Sequence, residues 1–497
     1  MKLDKQTENN AQIFFRNVIE KTCFIDKLRS ITGAIRGKFS EHDPRDADKI
    51  TYPCEYLFTA ILLAGMAGYK TKDAIWDFWE SNSELFQEVF PDLQGYIPST
   101  ATITRAQRLI ESNVLGDVLK LVISRQYNLV RVSRKIYAAD VLSQRDVLAC
   151  DGQAMRATAR LRPDGSRSSG KQITSIVSYE TGITLGQVIH TKKNQERPSI
   201  MELAEDMDIS GTILTWDAIN TYPDLIKFIV LKNADVFASV KSNHKKTYEE
   251  LRTAFSAYKK GHHLYYQDGH FATATDTRLS GGMFYTRRIV TLRAEECMSP
   301  DVLKKWPHIK TVAVIETESR NMVTDEVKNN VRYYISTIEM DLERYPDFAM
   351  ELLLISLKRW CVETNHWHLD RFFDQDETAY DDDSAAFCST IISKFTMSVF
   401  NFAKRAYAAE ENRYKSVCTT PKLQRACNDV RFSALLLESF FADNAKHLTQ
   451  DRLSRHKKFM KEEERGYWQD METYDHEPWP LQKFIEQRKK QKKEKAA

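Results

Sequence analysis

Short apolar runs alternate with amphipathic stretches between Val147 and Val240, and this alternation restricts the possible folds more than any other feature of the chain. "DVLAC", "QITSIVSY" and "ITLGQVIH" are short and rich in β-branched residues, "IMELAEDM" has helical spacing, and "TILTW", "YPDLIKFIVLK" and "DVFASVK" follow. Runs of that length flanked by turn residues read as strands, and the longer periodic ones as helices. The order is three strands, a helix, a strand, a helix and a strand, which specifies a mixed α/β sheet. The first strand raises a problem of its own. "VLACDGQAMRATAR" takes an apolar run straight into Asp151 and then into Arg156 and Arg160. A carboxylate at the end of a buried run needs solvent, a partner or a metal.

The regions on either side read differently. Residues 1–145 carry helical periodicity, as in "YLFTAILLAGMAGY" and "VLGDVLKLVISRQYNLV", and form a helical N-terminal domain. Residues 146–241 are the first part of the α/β core, and 242–347, rich in Tyr, Thr and Arg, read as strands inserted into or appended to the same sheet. Residues 348–408 are core helices: one long helix starting near Pro346 and carrying "MELLLISLKRWCVETNHWHLDRFF", then another around "STIISKFTMSVFNFAKR". Residues 409–497 are a charged helical extension with a basic tail that includes Lys489 and Lys490.

Composition narrows the class. Lys plus Arg number 72 against 69 acidic residues, a net charge of +3, so any surface for a polyanion must be local. The eight cysteines never form a C-x-x-C pair, which disfavours a zinc ribbon or a disulfide scaffold and suits reduced, buried thiols. No stretch approaches the roughly 20 apolar residues of a membrane helix, and the first residues lack an apolar leader. The expectation is a cytoplasmic protein without a membrane partner.

Three carboxylates carry the chemistry. Asp151 closes the first strand, Asp217 closes "TILTWDA", and Glu363 lies within the long helix. Two strand-end acids on neighbouring strands, joined by a third from a packed helix, could share magnesium in a two-metal phosphoryl-transfer site. Each acid also has a plainer reading: a hairpin turn at Asp-Gly, a helix cap at Asp217, a solvated helix position at Glu363. Around Glu363 the spacing puts His366, Trp367 and Asp370 at i+3, i+4 and i+7, on one helical face. Trp360 and Trp367 read as core packing, with base stacking as the other possibility, and His366 as a satisfied structural histidine. Arg156, Arg160 and Arg162, and Lys241, Asn243 and Lys245, could neutralise phosphates or be solvated loop residues. Lys489, Lys490 and their neighbours would add salt-sensitive, non-specific DNA affinity or serve as a solubilising tail.

Several short pieces occur in a set order: "DPR" at Asp43, "YP" at Tyr52, "PS" before Arg105, "DG" followed by "MR" at Asp151, and "GK" at Gly170 and Lys171. Then come "LGQV" at Leu185, "KNQE" at Lys193, "TWDA" at Asp217, "VKSN" at Lys241, "DGH" at Asp268, "RYYIS" at Arg332, and the Trp360, Glu363, Trp367, Asp370 series. In this order they resemble the DDE transposases of bacterial insertion sequences, specifically the H-repeat-associated group. The resemblance covers about three quarters of the chain, from Asp43 to Arg405. It implies a ribonuclease-H-like mixed sheet with a β-rich insertion, flanked by helical regions. It implies Asp151, Asp217 and Glu363 as a triad holding Mg2+, with Mn2+ as a substitute, and DNA cutting and joining by two-metal phosphoryl transfer. DNA contacts are expected at Arg156, Arg160, Lys171, Lys241, Asn243, Lys489 and Lys490, with auxiliary roles for His366, Trp367 and Asp370. Partners are transposon-end and target DNA, with a homodimer or larger assembly at the bacterial nucleoid. Gln153 stands where the family carries Lys. Two other readings stay open: a nuclease of the same fold that cuts without joining, and a non-catalytic DNA-binding descendant. The N-terminal region, with Lys70, Lys72, Arg105 and Arg108, would read the end sequence or serve as a packing domain.

Overall fold

In the computed structural model the alternating segment folds in the order expected: β1 (Val147–Met155), β2 (Lys171–Ser178), β3 (Thr184–His190), helix α5 (Glu196–Glu205), β4 (Ile213–Thr215), α6 (Pro223–Leu231) and β5 (Asp235–Val240). The structure describes residues 45–109, 145–159, 170–190, 195–262, 269–375 and 383–407, with scattered positions outside these runs. All of them lie in the unit Met1–Ala445; a second unit, Lys446–Ala497, contains none. The extension after Ala409 and its basic tail therefore fall almost wholly outside the described residues.

Among the described residues, four helices precede the sheet: α1 (Cys54–Met66), α2 (Lys72–Ser81), α3 (Ser83–Val89) and α4 (Thr100–Leu109). After β5 come α7 (Lys245–Lys259), β6 (Phe271–Ser280), β7 (Met283–Arg293), the short helices α8 (Ala294–Cys297) and α9 (Pro300–Lys305), then β8 (Thr311–Asn321) and β9 (Val327–Ser336). The nine strands form one sheet ordered β3-β2-β1-β4-β5-β9-β8-β7-β6. β1 pairs antiparallel with β2 and parallel with β4, β4 is parallel to β5, and β5 joins the Tyr-rich strands through antiparallel β9. The β-rich segment thus continues the sheet.

The "MELLLISLKRW" stretch is not one helix. It divides into α10 (Phe348–Lys358) and α11 (Cys361–Phe373), with a turn at Arg359–Trp360. Neither Gly nor Pro marks the break. Instead the backbone tightens there, the Trp360 and Val362 N–H groups bonding three residues back to Leu357 and Arg359. α10 lies across the sheet where its two halves meet. Its Phe348, Leu352 and Ile355 belong to one core with Val147, Ile213, Phe237, Ile289 and Ala313, from five strands. α11 then sets Val362 on Ala149 and Val177 of β1 and β2.

Helix α12 (Asp383–Tyr407) ties the sheet to the N-terminal helices. Its Ser398 hydroxyl accepts the Thr184 N–H at 3.1 Å, and Asn401 donates to the Gly182 carbonyl. On its other side α12 meets α1 so closely that a Cβ on Gly65 would stand 2.4 Å from Ile392 Cγ2. α1 is buried on nearly every side, which makes it a core helix.

Candidate active site

Asp151 sits in the middle of β1, paired across to Ser175 of β2, and does not end the strand. Nor is Asp-Gly a hairpin turn, since Gly152 continues the ladder opposite Thr174. Side chains alternate along a strand. Ala149 meets Val362 of α11, so Asp151, two residues on, faces the same helix. The parallel pairing of β1 with β4 stops at Ala149 opposite Thr215. Asp151 and Asp217 therefore occupy corresponding positions just beyond the last paired row, where the strands part. Asp217 has extended backbone and precedes a single turn, Ala218–Asn220, without capping it through its side chain. Glu363 lies in the first turn of α11, above that gap.

Cations are interleaved with these acids. Arg359 is 8% exposed and its guanidinium meets Glu363 Oε1 at 2.7 Å, one turn along the chain. Lys241 Nζ lies 3.2 Å from Asp217 Oδ1. Burial opposes charge on Asp217, but the Ala218 N–H, Lys241 and Arg359 outweigh it and hold the carboxyl below its ordinary range. Asp151 goes the other way. Burial, then the Glu363 and Glu196 carboxylates, push it up to about 7, with the Gly152 N–H and Arg359 pulling only partly back. One end of this cluster therefore carries more negative charge than its neighbours offset.

His366 and Asp370 turn into the protein while Trp367 turns out, so the four residues spaced along α11 do not share a face. His366 is buried, and that burial, aided by Lys394, drives it down to about 3, leaving a neutral imidazole. Its Nδ1 is 3.7 Å from Asp151 Oδ2, too long for a hydrogen bond, and with a neutral ring the two do not form an ion pair. Asp370 accepts from Gln153 Nε2 at 2.6 Å, which ties β1 to α11 two residues beyond Asp151. Trp360 and Trp367 are not core residues: they are 44% and 57% exposed. Arg332 and Arg359 lie over the Trp360 ring, at 5.2 and 4.8 Å.

Of the expected phosphate contacts, Lys241 and Asn243 join the Asp217 loop, Asn243 donating to the Ala218 carbonyl at 2.8 Å. Lys171 starts β2 opposite Met155, four residues along from Asp151, and Arg156 is exposed beyond the end of β1. Arg160, Arg162, Lys489 and Lys490 lie outside the described residues.

Three participants were missed in the sequence. Glu196, within the quoted "KNQE" piece, opens α5 and accepts from Asn220 Nδ2 at 2.6 Å. Arg359 precedes Glu363 by four residues, a spacing that could have revealed it. Lys394 of α12, fully buried, donates to the Ser175 hydroxyl beside Asp151 and is lowered to about 7 by burial. Nothing in the local sequence of α12 marks it.

Among the described residues, no three His, Cys, Asp or Glu side chains are grouped to hold a metal ion. The donor chemistry nevertheless suits a hard divalent cation. The acids offer only oxygens, and Glu363 Oε2 is buried without a hydrogen-bond partner.

Residues 40–120 match the family model described as DDE_Tnp_1-associated. "Putative transposase YncI" of Escherichia coli O157:H7 is 23% identical over 82% of this chain and 96% of its own length. "H repeat-associated putative transposase YhhI" of Escherichia coli strain K12 is 23% identical over 68% of this chain and 84% of its own length. A cryo-EM structure of a piggyBac transposase synaptic complex with hairpin DNA aligns over 87% of this chain and 84% of that one. That alignment has 11% identity and a TM-score of 0.38, too loose to argue from.

Proposed function

We propose that this chain, a distant homologue of the H repeat-associated transposases, is itself a DNA transposase that uses Asp151, Asp217 and Glu363 to cut and join DNA ends. The observation that carries the reading is the convergence on one gap in the sheet. Asp151 and Asp217 stand at matching positions where β1 and β4 part, and α11 sets Glu363 over them. A strand order of β3-β2-β1-β4-β5, with the first three antiparallel and the rest parallel, supports a ribonuclease-H-like core.

Asp151, Asp217 and Glu363 would hold the divalent ions. Those ions, when bound, supply activation of the attacking oxygen and charge stabilisation of the leaving one. The chain's own groups do the rest. Arg359 balances the Glu363 carboxylate from within the protein, and the exposed Lys241 beside Asp217 would be able to meet a phosphate oxygen. The neutral His366 lies 3.7 Å from Asp151, and the Gln153–Asp370 bond ties β1 to α11 beside it.

The test is cleavage and joining by the purified full chain of duplexes carrying the sequences that flank its gene, with Mg2+. Wild type should release a 3′-hydroxyl end and transfer it to a second duplex. Asp217→Asn should lose both by at least a hundredfold while still binding the duplex. Cleavage at wild-type rate in that variant would sink the assignment. Cleavage without joining would favour the nuclease reading.

A further inference from the structure

The gap between β1 and β4 contains a fourth acid. Glu196 reaches it from the sheet face opposite α11, and its two oxygens span the opening. Oε1 lies against Gly152, where a Cβ would come within 2.3 Å of it. Oε2 accepts from Asn220, whose own N–H bonds the Asp217 carbonyl at 2.9 Å. One carboxylate thus touches the residue after Asp151 and the turn that begins at Asp217. Glycine at 152 is what allows this approach: any side chain there would occupy the position of the carboxylate.

A purely structural role does not explain the arrangement well. A neutral amide at 196 could accept the same Asn220 hydrogen bond, yet the chain places a full carboxylate there, its other oxygen against the residue that follows Asp151. Meanwhile Glu363 Oε2 is buried and unpartnered on the opposite face of the same gap. The acids bracket the opening from both sides with more acceptor oxygens than the chain's own donors fill.

We infer that Glu196 is a fourth acidic residue of the metal centre, acting with Asp151 to hold a divalent cation in the gap between β1 and β4. This rests on the functional reading above, and the test separates the two. Mn2+ binding by the full chain would be measured by calorimetry without DNA, for wild type and for Glu196→Gln, Gly152→Ala, Asp151→Asn and Asp217→Asn, with melting temperatures alongside.

Glu196→Gln keeps the Asn220 hydrogen bond and should melt near wild type, while Mn2+ affinity falls on the order of tenfold or more. Gly152→Ala pushes the carboxylate out of place without removing its charge, and should weaken Mn2+ similarly, which keeps the idea testable if the Gln variant folds poorly. Wild-type affinity in a folded Glu196→Gln protein, or in Gly152→Ala, overturns the inference while Asp151→Asn, if weakened, leaves the triad standing. Undiminished binding in both Asp151→Asn and Asp217→Asn removes the triad and Glu196 together.

Discussion

Asp151 is the residue on which the site's charge balance turns. Its carboxyl is raised from an ordinary value near 4 to about 7 because it is buried beside Glu363 and Glu196. Between those two values the folded chain keeps a proton that the unfolded chain has lost. Stability therefore falls as pH rises through that window: the penalty is absent below about 4 and complete above about 7. At full coupling it is on the order of 4 kcal/mol, an upper figure for a group still in partial contact with water. Asp151→Asn should consequently melt a few degrees above wild type at pH 8 with chelator present, and the advantage should shrink toward pH 4. Thermal melts at both ends of the range check it, and a pH-independent difference would show that the buried charge, beside Glu363 and Glu196, is not its cause. The identity of this acid was readable, because a charge directly after "VLAC" has few uses. Its position was not, since Asp-Gly also fits a turn and only the β2 partner shows the strand running on to Met155. Glu196 was hidden for a related reason. It lies 45 residues beyond Asp151, and only the side-chain alternation of β1 brings it to Gly152.

At the level of elements, period decided what could be read. β-branched runs between turn residues located the strands of β1 through β5, because a half-buried strand has little other way to be written. The break between α10 and α11 left no such trace. Leu, Ile, Lys and Arg all favour helix, and the turn is set by α10 packing across five strands while α11 packs on two. The exposed tryptophans were misjudged because size alone suggested the core, whereas Trp360 is exposed and has Arg332 and Arg359 over its ring. The contact between α1 and α12 tests whether the helical region is built into the core. Gly65→Ala places a methyl 2.4 Å from Ile392 Cγ2, and overpacking of this kind costs roughly 1–3 kcal/mol. Ile392→Ala alone opens a cavity. If the two helices meet as described, the double variant should be less destabilised than the sum of the singles, by denaturant melts. Strict additivity would place the two residues out of contact.

Across the whole molecule, the helical region and the sheet form one body, through α12, the Gly65 contact and the 2.7 Å ion pair from Lys70 to Asp374 at the end of α11. Among the described residues, no helix is long and apolar enough to cross a membrane. This coupling bears on how DNA recognition would be divided. A helix that reads a groove must keep its base-reading side chains in solvent. Among the described residues, α1 is excluded by burial and Lys70 is taken by Asp374, whereas α4 presents two exposed cations. There Ile103 and Ala106 are buried while Arg105 and Arg108 are exposed on the outer side, three residues apart. If α4 reads the end sequence, Arg105→Ala with Arg108→Ala in the full chain should weaken an end duplex by about tenfold or more, since a good base contact is worth roughly 1–3 kcal/mol. A scrambled duplex should lose much less, because the core would still hold its phosphates. Gel-shift titrations at one fixed salt concentration measure both, salt being what the phosphate contribution depends on most. Equal losses on the two duplexes would make the arginines phosphate contacts only, and the helical region would then be a packing domain that holds α11 over the sheet through α12 and Lys70.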